Sequence, residues 1–399
     1  MKIYLTHTAN GPVLSMQGRL DTSTSEQARK EIDNLLQNAG TLSSLTCDLA
    51  GVDYISSSGL RILLMLAQRC KPLRLMEVQP AVYDVLEMTG FSKMMTVERA
   101  LRVMSIDGCP VIGKGGVGTV YRLDGDTIIK VFREGTTLGE VQGEITMAKE
   151  AFMLGMPTAI SFDVVRVGNQ YGLVYELLQA DTLSACVKRN PQQLDHYAAK
   201  YAQLFRQMHA IEVPSTSAIP SALDHEREAV NHVRRYFSDD DIALLMRIVD
   251  AIPQSNRLLH LDLQSKNAMM QGDEPMLIDM GEIGYGHPML DLGHAYSAMM
   301  ALVGDYEAIT GLTEPLAHAL WQRMLDYYFA DLTPAQRQHR EQQMAVVAKV
   351  RNFSWLALSD SFPEAVIHTC QEEFNVRVHQ QKEHILQVCD TLSDWTIDN

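Results

Sequence analysis

The sequence lacks the apolar stretches that a membrane protein or a secreted precursor needs. It contains no run of about 20 apolar residues, the length that crosses a bilayer. Its first residues alternate in polarity, without the apolar segment of a secretion signal. We therefore expect a cytoplasmic protein with no membrane partner.

Cysteine is scarce and scattered, which argues against two further classes of protein. The six cysteines form no Cys-x-x-Cys pair, so neither a disulfide framework nor a zinc site is indicated. We interpret them as reduced packing residues; they are Cys47, Cys70, Cys109, Cys186, Cys370 and Cys389.

Positive charge is also in deficit. The chain carries 34 Lys and Arg against 49 Asp and Glu, a formal net charge of -15. Binding along a nucleic-acid backbone requires the opposite balance, so we expect no nucleic-acid partner. With 46% hydrophobic and 21% charged residues the composition is that of an ordinary globular protein. A length of 399 residues provides for two or three folding units.

The first part of the chain, residues 1–104, alternates strand and helix patterns. Apolar alternation and short apolar runs predict strands, and apolar residues at helical spacing predict the helices between them. The main predicted elements are two strands within 2–19, a helix that begins after the polar residues 23–25, strands at 45–49 and 73–78, and helices at 60–69 and 81–88. This order predicts a small open α/β sheet covered by helices.

A new pattern begins after a turn at 107–110, so we place a second domain at 105–399. Two strand-like runs at 111–122 and 127–132, a helix at 143–154 and strands near 161–167 and 171–177 predict a β-rich small lobe, about 105–180. Helical patterns dominate about 181–399. We expect an α+β domain of two lobes.

A glycine cluster lies between the first two strands of the second domain. Residues 113–120 fit G-x-G-x-x-G-x-V, with glycines at Gly113, Gly115, Gly116 and Gly118 and the valine at Val120. Glycines let such a hairpin approach phosphates and donate backbone N–H groups. A flexible hairpin without a ligand is the alternative.

Lys130 lies within the apolar run 127–132, a strand that should be buried. A buried lysine needs an anionic partner, and Glu144 at the start of the predicted helix is the best candidate, with Glu140 and Glu150 as rivals. Such a pair would hold the lysine toward the α- and β-phosphates of a nucleotide. The alternative is an edge lysine that reaches water.

The segment 258–270 carries the most specific pattern, H-x-D-x-x-x-x-N, from His260 to Asn267. Asp262 can accept or orient the proton of an attacking hydroxyl, and the amide oxygen of Asn267 can bind a magnesium ion. Asp279 follows the apolar run 277–278, where its carboxylate can bind the same metal. Each residue alone is also an ordinary turn or cap residue.

Together, residues 111–295 resemble the protein-kinase-like fold, and in particular its aminoglycoside phosphotransferase and choline kinase branch. The resemblance implies ATP and Mg²⁺ as cofactors and an Asp262 base supported by Lys130 and Glu144. It further implies a set of nucleotide contacts: Ile112 and Val120 above the adenine, Met269 beneath it, Tyr175 at the gate, and Glu176 and Leu178 as hinge backbone groups. Asp291 resembles the structural aspartate of this branch.

The chain departs from protein kinases in two places. The stretch between Asp279 and Asp291 is short and has no Ala-Pro-Glu end, and Leu261 replaces an arginine that protein kinases use to sense loop phosphorylation. A small-molecule acceptor is therefore favoured over a peptide. Lys266 lies four residues after Asp262 rather than two, which leaves a γ-phosphate role for it open.

Three serines, Ser56, Ser57 and Ser58, stand between an apolar strand and a helix predicted to begin near Gly59. A phosphate there would meet the positive helix end and add about -1.5 to -2 charges to a surface loop. A serine-rich helix cap is the alternative.

Residues 1–104 resemble the STAS family of anti-sigma factor antagonists. The resemblance maps the family's phosphoacceptor to Ser58, with Ser56 in place of an acidic residue. It also implies a protein partner such as an anti-sigma factor or a similar regulator.

The whole chain is therefore expected to be an α/β STAS domain followed by an α+β bilobal protein-kinase-like domain. We predict a bacterial signalling protein in which an ATP- and Mg-dependent phosphotransferase of unknown acceptor is coupled to a phosphoserine switch. Two alternatives stay open: a nucleotide-binding switch without transfer activity, and a small-molecule kinase regulated by the STAS domain.

Overall fold

The computed structural model describes residues 1–8, 11–39, 42–302, 304–358 and 362–395. The chain divides into two units, Met1–Met104 and Ser105–Asn399. Each unit has its own hydrophobic core.

The first unit is built on a five-stranded sheet in the order β1–β2–β3–β4–β5. The pair β1 and β2 is antiparallel, and the remaining neighbours are parallel. The elements are β1 Lys2–Thr8, β2 Gly11–Leu20, α1 Ser25–Ala39, β3 Leu45–Ile55, α2 Ser57–Arg69, β4 Leu73–Val78, α3 Pro80–Met88, β5 Thr96–Arg99 and β6 Arg102–Val103.

Close packing fixes the start of α2 against the end of β2. A Cβ added to Gly59 would lie 2.4 Å from the carbonyl oxygen of Leu20, so only glycine permits this approach. The backbone N–H of Ser56 donates to the same carbonyl at 3.0 Å. These contacts hold the three serines at the carboxyl end of β3, beside the end of β2.

The small lobe of the second unit contains strands β7 to β11 in the antiparallel order β10–β11–β9–β8–β7. Its elements are β7 Val111–Lys114, β8 Gly118–Arg122, β9 Thr127–Phe132, α4 Leu138–Met153, β10 Ser161–Val167 and β11 Gln170–Glu176.

Helix α4 begins more than a turn before the predicted residue 143, so that prediction was wrong. Thr137 forms a capping box with Glu140, in which each side chain accepts a hydrogen bond from the other residue's backbone N–H. This cap satisfies the first turn and extends the helix toward its N-terminus.

The helical lobe packs mainly around α6, α9, α11 and α12. Trp321, Tyr201, Phe205 and Phe353 are among its largest fully buried side chains. No helix within the described ranges is long and apolar enough to cross a membrane. The elements are β12 Asp181–Thr182, α5 Leu183–Arg189, α6 Leu194–His209, α7 Ala222–His232, α8 Asp239–Ala251, β13 Arg257–Leu259, β14 Ala268–Gln271, β15 Glu274–Leu277, β16 Gly284–Gly286, α9 Pro288–Met300, α10 Tyr306–Thr310, α11 Glu314–Tyr328, α12 Pro334–Ser354, α13 Glu364–Arg377 and α14 Lys382–Cys389.

Candidate active site

Lys130 occupies a central strand and bridges two carboxylates. Its Nζ lies 2.8 Å and 3.0 Å from the two carboxylate oxygens of Glu144 and 2.9 Å from Oδ1 of Asp279. Burial by itself lowers the pKa of Lys130, but the charges of Asp279 and Glu144 outweigh that effect and raise it. The lysine is therefore a fixed positive charge at neutral pH.

Helix α4 supplies Glu144 rather than either rival glutamate. The carboxylate of Glu140 is used in the helix cap, and that of Glu150 accepts a hydrogen bond from Ser217. Tyr175 donates its hydroxyl to Oε1 of Glu144 at 2.9 Å, which fixes the carboxylate from a second side. Burial and the neighbouring Glu144 raise the pKa of Tyr175 well above its usual value.

Asp262 and Asn267 form the two ends of a tight polar loop. The amide nitrogen of Asn267 donates to the backbone oxygen of Asp262 at 2.8 Å and to its Oδ2 at 2.9 Å. Burial raises the pKa of Asp262 to about 6, although the positive charges of Arg351 and His260 oppose the shift. A carboxyl group with such a pKa can exchange a proton near neutral pH.

Asp291 anchors the loop from beneath. This carboxylate is completely buried and accepts the backbone N–H groups of His260 at 3.2 Å and Leu261 at 2.7 Å. His209 Nε2 lies 3.0 Å from Oδ2 of Asp291, the oxygen that also accepts the His260 N–H. Burial raises the pKa of Asp291, but hydrogen bonding and the charges of His209 and His260 leave it below its usual range.

Asp279 and Asn267 carry hard oxygen atoms of the type that magnesium binds. The nitrogen of Asn267 is committed to Asp262, which leaves its side-chain oxygen for a cation. Asp279 adopts the left-handed conformation, φ 62°, where the chain leaves β15. The backbone N–H of Ile278, the residue before Asp279, donates to the backbone carbonyl of Asn267 at 3.0 Å. Magnesium keeps several waters and phosphate oxygens, so two protein ligands are sufficient.

The four glycines of the hairpin do not share one role. A Cβ on Gly118 would lie 2.3 Å from the carbonyl oxygen of Val131, so this glycine is required by strand packing. Gly115 and Gly116 have open space where a Cβ would stand, and Gly113 has ordinary contact distances. The turn at 115–117 is therefore the part of the hairpin that a ligand can approach.

The predicted adenine contacts are distributed over both lobes. Ile112 and Val120 lie in the small lobe, Met269 lies on β14 of the helical lobe, and Glu176 ends β11. In the segment after Glu176, the backbone N–H of Leu177 donates to the backbone carbonyl of Asp126 at 2.7 Å. The N–H of Leu178 has no acceptor among the described residues, which leaves it available to a ligand.

Lys266 lies within the Asp262–Asn267 loop, and four residues that the motifs did not indicate lie around that loop. The ammonium of Lys266 donates to the carbonyl of Ala308, so it is held against α10. The other four come from helices and a turn distant in sequence; they are Glu226 on α7, Glu282 after β15, His294 on α9 and Arg351 on α12. Oε2 of Glu282 lies 3.5 Å from Nη2 of Arg351.

In the first unit, the structure places Ser58 inside the first turn of α2. The helix begins at Ser57, not near Gly59 as predicted, and Ser56 is its N-cap residue. The hydroxyl of Ser58 lies 2.8 Å from that of Ser56 and 3.3 Å from that of Thr22. Ser58 is thus not itself the cap.

Comparison with known families identifies both units. The STAS domain family matches residues 3–103, and the phosphotransferase enzyme family matches residues 109–327. The predicted fold class, an α/β STAS domain followed by a kinase-like domain, is thereby confirmed.

Individual relatives match one unit at a time. A putative anti-sigma factor antagonist of Bordetella bronchiseptica is 29% identical over 89 residues, which cover 21% of this chain and 75% of that protein. An anti-sigma F factor antagonist of Paenibacillus polymyxa is 25% identical over 101 residues, covering 24% of this chain and 86% of that protein.

Solved structures resemble the chain over a larger share of its length. A choline/ethanolamine kinase family protein from Mesorhizobium loti is 15% identical with a TM-score of 0.44, covering 72% of this chain and 88% of that one. ADP-bound aminoglycoside phosphotransferase APH(2″)-Ib is 12% identical with a TM-score of 0.46, covering 71% and 94%.

Proposed function

We propose, from the premise that the chain belongs to the phosphotransferase enzyme family over residues 109–327, that its second unit transfers the γ-phosphoryl group of ATP to an acceptor hydroxyl. The observation that carries the proposal is the Lys130 ammonium, held 2.8 Å from Glu144 and 2.9 Å from Asp279. The Asp262–Asn267 loop adds a carboxyl group whose pKa lies near 6.

In the proposed reaction, Asp262 accepts or orients the proton of the acceptor hydroxyl. The acceptor oxygen forms a bond to the γ-phosphorus while the bond from that phosphorus to the β–γ bridging oxygen breaks, and ADP leaves. Lys130, oriented by Glu144, supplies positive charge toward the α- and β-phosphates. This step needs mainly positioning and charge stabilisation from the protein.

The nucleotide is proposed to lie between the glycine hairpin and β14. Gly115 and Gly116 face open space. The Gly115 N–H already donates to the Gly118 carbonyl at 3.0 Å, so the Gly116 N–H is the one proposed to meet a phosphate, while Gly113 and Gly118 shape the hairpin. The remaining contacts are proposed for the adenine: Ile112, Val120 and Met269 on its faces, and Glu176 and Leu178 at its edge.

Asn267 and Asp279 are proposed to hold the magnesium ion of the nucleotide complex. When bound, that ion neutralises charge on the phosphate oxygens. Lys130 bridges to Asp279 at 2.9 Å, so the lysine also sets the position of this carboxylate.

A small-molecule acceptor is favoured over a peptide by the segment after Asp279. It consists of a single 3₁₀ turn at Met280–Glu282 and the short strand β16, and α9 then begins at Pro288. So short a connection offers no platform along which an extended peptide could lie.

The first unit is proposed to couple this chemistry to a protein partner, for which an anti-sigma-like regulator is the leading candidate. Ser58 is the proposed phosphoacceptor because it lies in the first turn of α2, where free backbone N–H groups and the helix dipole favour an anion. A phosphate there would change the charge of the surface that a partner meets.

Labelled ATP tests the enzymatic proposal. Purified protein would be incubated with γ-labelled ATP, with and without magnesium. Label would be followed in phosphate, protein and a panel of hydroxylated small molecules, and unlabelled ADP would be quantified separately. We expect magnesium-dependent transfer of label to an acceptor, or slow hydrolysis to ADP and labelled phosphate. Binding of MgATP, seen as a raised melting temperature, without any transfer would favour the nucleotide-binding switch instead.

The Ser58 proposal has a matched control in its neighbour. Ser58→Asp should weaken partner recovery from lysate relative to Ser58→Ala, because it adds charge to the same surface. The control Ser57→Asp places the same charge one residue earlier, on an exposed side chain. Identical partner recoveries for both Ser58 variants would mean that Ser58 does not control partner binding and is only a residue of the first helical turn.

A further inference from the structure

Leu261, immediately before the proposed base, is held in a conformation that leucine rarely adopts. Its φ is +64°, in the left-handed region that is strained for any residue other than glycine. Such a backbone persists only where surrounding groups determine it. Because Asp262 follows directly, the Leu261 peptide sets the direction from which the carboxylate enters the site.

Two side chains from one face of α9 hold this peptide. Asp291 accepts the Leu261 N–H at 2.7 Å, and His294, three residues later, donates Nδ1–H to the Leu261 carbonyl at 3.1 Å. Residues three apart on a helix lie on the same side, so α9 fixes both polar groups of Leu261.

The second holding residue, His294, is paired with a buried acid. Its Nε2 lies 3.1 Å from Oε1 of Glu226, and the two residues are 4% and 1% exposed. Nδ1 bonds to the Leu261 carbonyl, whereas Nε2 faces Glu226 outside hydrogen-bond geometry, so the carboxylate acts on the ring by proximity and charge. The second oxygen of Glu226 also has no hydrogen-bond partner among the described residues.

Burial by itself would raise the pKa of Glu226, but His294 and, more weakly, Arg351 lower it to about 2. The carboxylate is therefore ionised at neutral pH and lies against the His294 ring. A deeply buried carboxylate without full hydrogen bonding contributes little to stability. A positional role accounts for its place beside the ring that holds Leu261.

We propose that Glu226 and His294 act as a positioning pair for Asp262, in which Glu226 orients His294 and His294 fixes the strained Leu261 peptide. This inference rests on the proposed phosphotransfer function, since Asp262 is the base of that reaction. Glu226 lies on α7 and His294 on α9, so neither residue belongs to the H-x-D-x-x-x-x-N segment.

The test uses a variant that replaces both residues together. Glu226→Gln combined with His294→Asn leaves no buried carboxylate at this place, whereas His294→Asn alone leaves the Glu226 carboxylate buried without its neighbour and can prevent folding. His287→Asn is the matched control. His287 is a buried histidine of the same region whose Nε2 faces the Trp395 carbonyl at 3.0 Å rather than the catalytic loop, and asparagine preserves its N-cap role.

Two measurements on the full chain decide the outcome. The first is ADP formation with MgATP, for which we expect kcat to fall at least about tenfold in the double variant. The affinity for MgATP should change less than about threefold. The second is hydrogen–deuterium exchange in the peptide spanning 260–267, which should accelerate at least about tenfold because the loop loses an anchor. The His287→Asn control should change neither.

The two readouts separate the positioning pair from the reaction it serves. If the wild-type protein forms no ADP, the proposed function fails, while exchange in the loop still decides whether the pair holds Leu261. Unchanged loop exchange in the double variant overturns the inference. Equal acceleration in the His287→Asn control also overturns it, because the effect would then belong to α9 in general.

Discussion

Replacing Lys130 with methionine removes one charge from the centre of the candidate site while nearly conserving side-chain volume. Lys130 and Glu144 are 13% and 10% exposed, and their charged atoms lie 2.8 Å apart. Loss of one partner from such a pair costs about 3–5 kcal/mol when nothing compensates the other charge. Tyr175 continues to donate to Glu144, so we expect Lys130→Met to lower the free energy of unfolding by about 2–3 kcal/mol.

A double-mutant cycle isolates the interaction between the two residues. Glu144→Gln leaves Lys130 paired with Asp279, which is 44% exposed, so we expect a smaller loss of about 1–2 kcal/mol. The double variant leaves only Asp279, which is 44% exposed to water, without its partner, so it should lose less than the sum of the single changes. The coupling energy is expected to be about 1.5–3 kcal/mol.

Urea unfolding followed by tryptophan fluorescence measures these differences for the second unit of the chain alone. All three tryptophans, Trp321, Trp355 and Trp395, lie in the second unit, so unfolding of the first unit is silent in this signal. Lys149→Met on the exposed side of α4 is the control, with an expected change within about 0.5 kcal/mol. A coupling energy below about 0.5 kcal/mol would mean that the pair is screened like a surface ion pair, and the reasoning would be refuted.

Three further predictions concern the catalytic carboxylates, the hairpin and a buried lysine. Asp262→Asn should retain MgATP binding and lose at least about 100-fold in transfer rate, whereas Asp279→Asn should lose metal-dependent binding and transfer together; equal mild losses in the labelled-ATP assay would contradict these roles. Gly118→Ala should lower the free energy of unfolding by about 1–3 kcal/mol, because its Cβ would lie 2.3 Å from a carbonyl oxygen of β9, whereas Gly116→Ala should change it by under about 0.5 kcal/mol in the same urea titration. Burial lowers the pKa of Lys349 from 10.5 to about 8, so the unfolded chain binds more protons in this interval. The free energy of unfolding should therefore rise with pH across it by up to about 3 kcal/mol, and a Lys349→Met variant that still shows the rise would exclude this lysine as its source.

The fold class was predictable because both units carry their signals in local sequence order. Alternating strand and helix patterns in 1–104 indicated an α/β unit, and a β-rich segment followed by long helical patterns indicated two lobes. The family matches at 3–103 and 109–327 confirm that class. Element ends were less predictable, because caps such as that of Thr137 depend on side-chain geometry.

The motif residues that the sequence indicated lie together although they come from different elements. Lys130 lies within β9 and Asp279 two residues after β15, 149 positions apart in sequence, and their charged atoms meet at 2.9 Å. Glu226, His294 and Arg351 had no such signal. Each is an ordinary polar residue of an amphipathic helix, and its place near the loop follows from how the helices pack.

The backbone around the reactive carboxylates was also outside the reach of sequence patterns. Leu261 and Asp279 both have φ near +60°, where glycine would be the residue of choice on conformational grounds alone. Leucine is nevertheless favoured at 261 because its side chain is buried and packs beside Gly284, where an added Cβ would lie 3.0 Å from Leu261 Cδ1. At 279 the carboxylate itself is needed to meet Lys130. Packing at one position and charge at the other therefore outweigh local backbone preference, and both exceptions fall beside the groups to which we assign the chemistry.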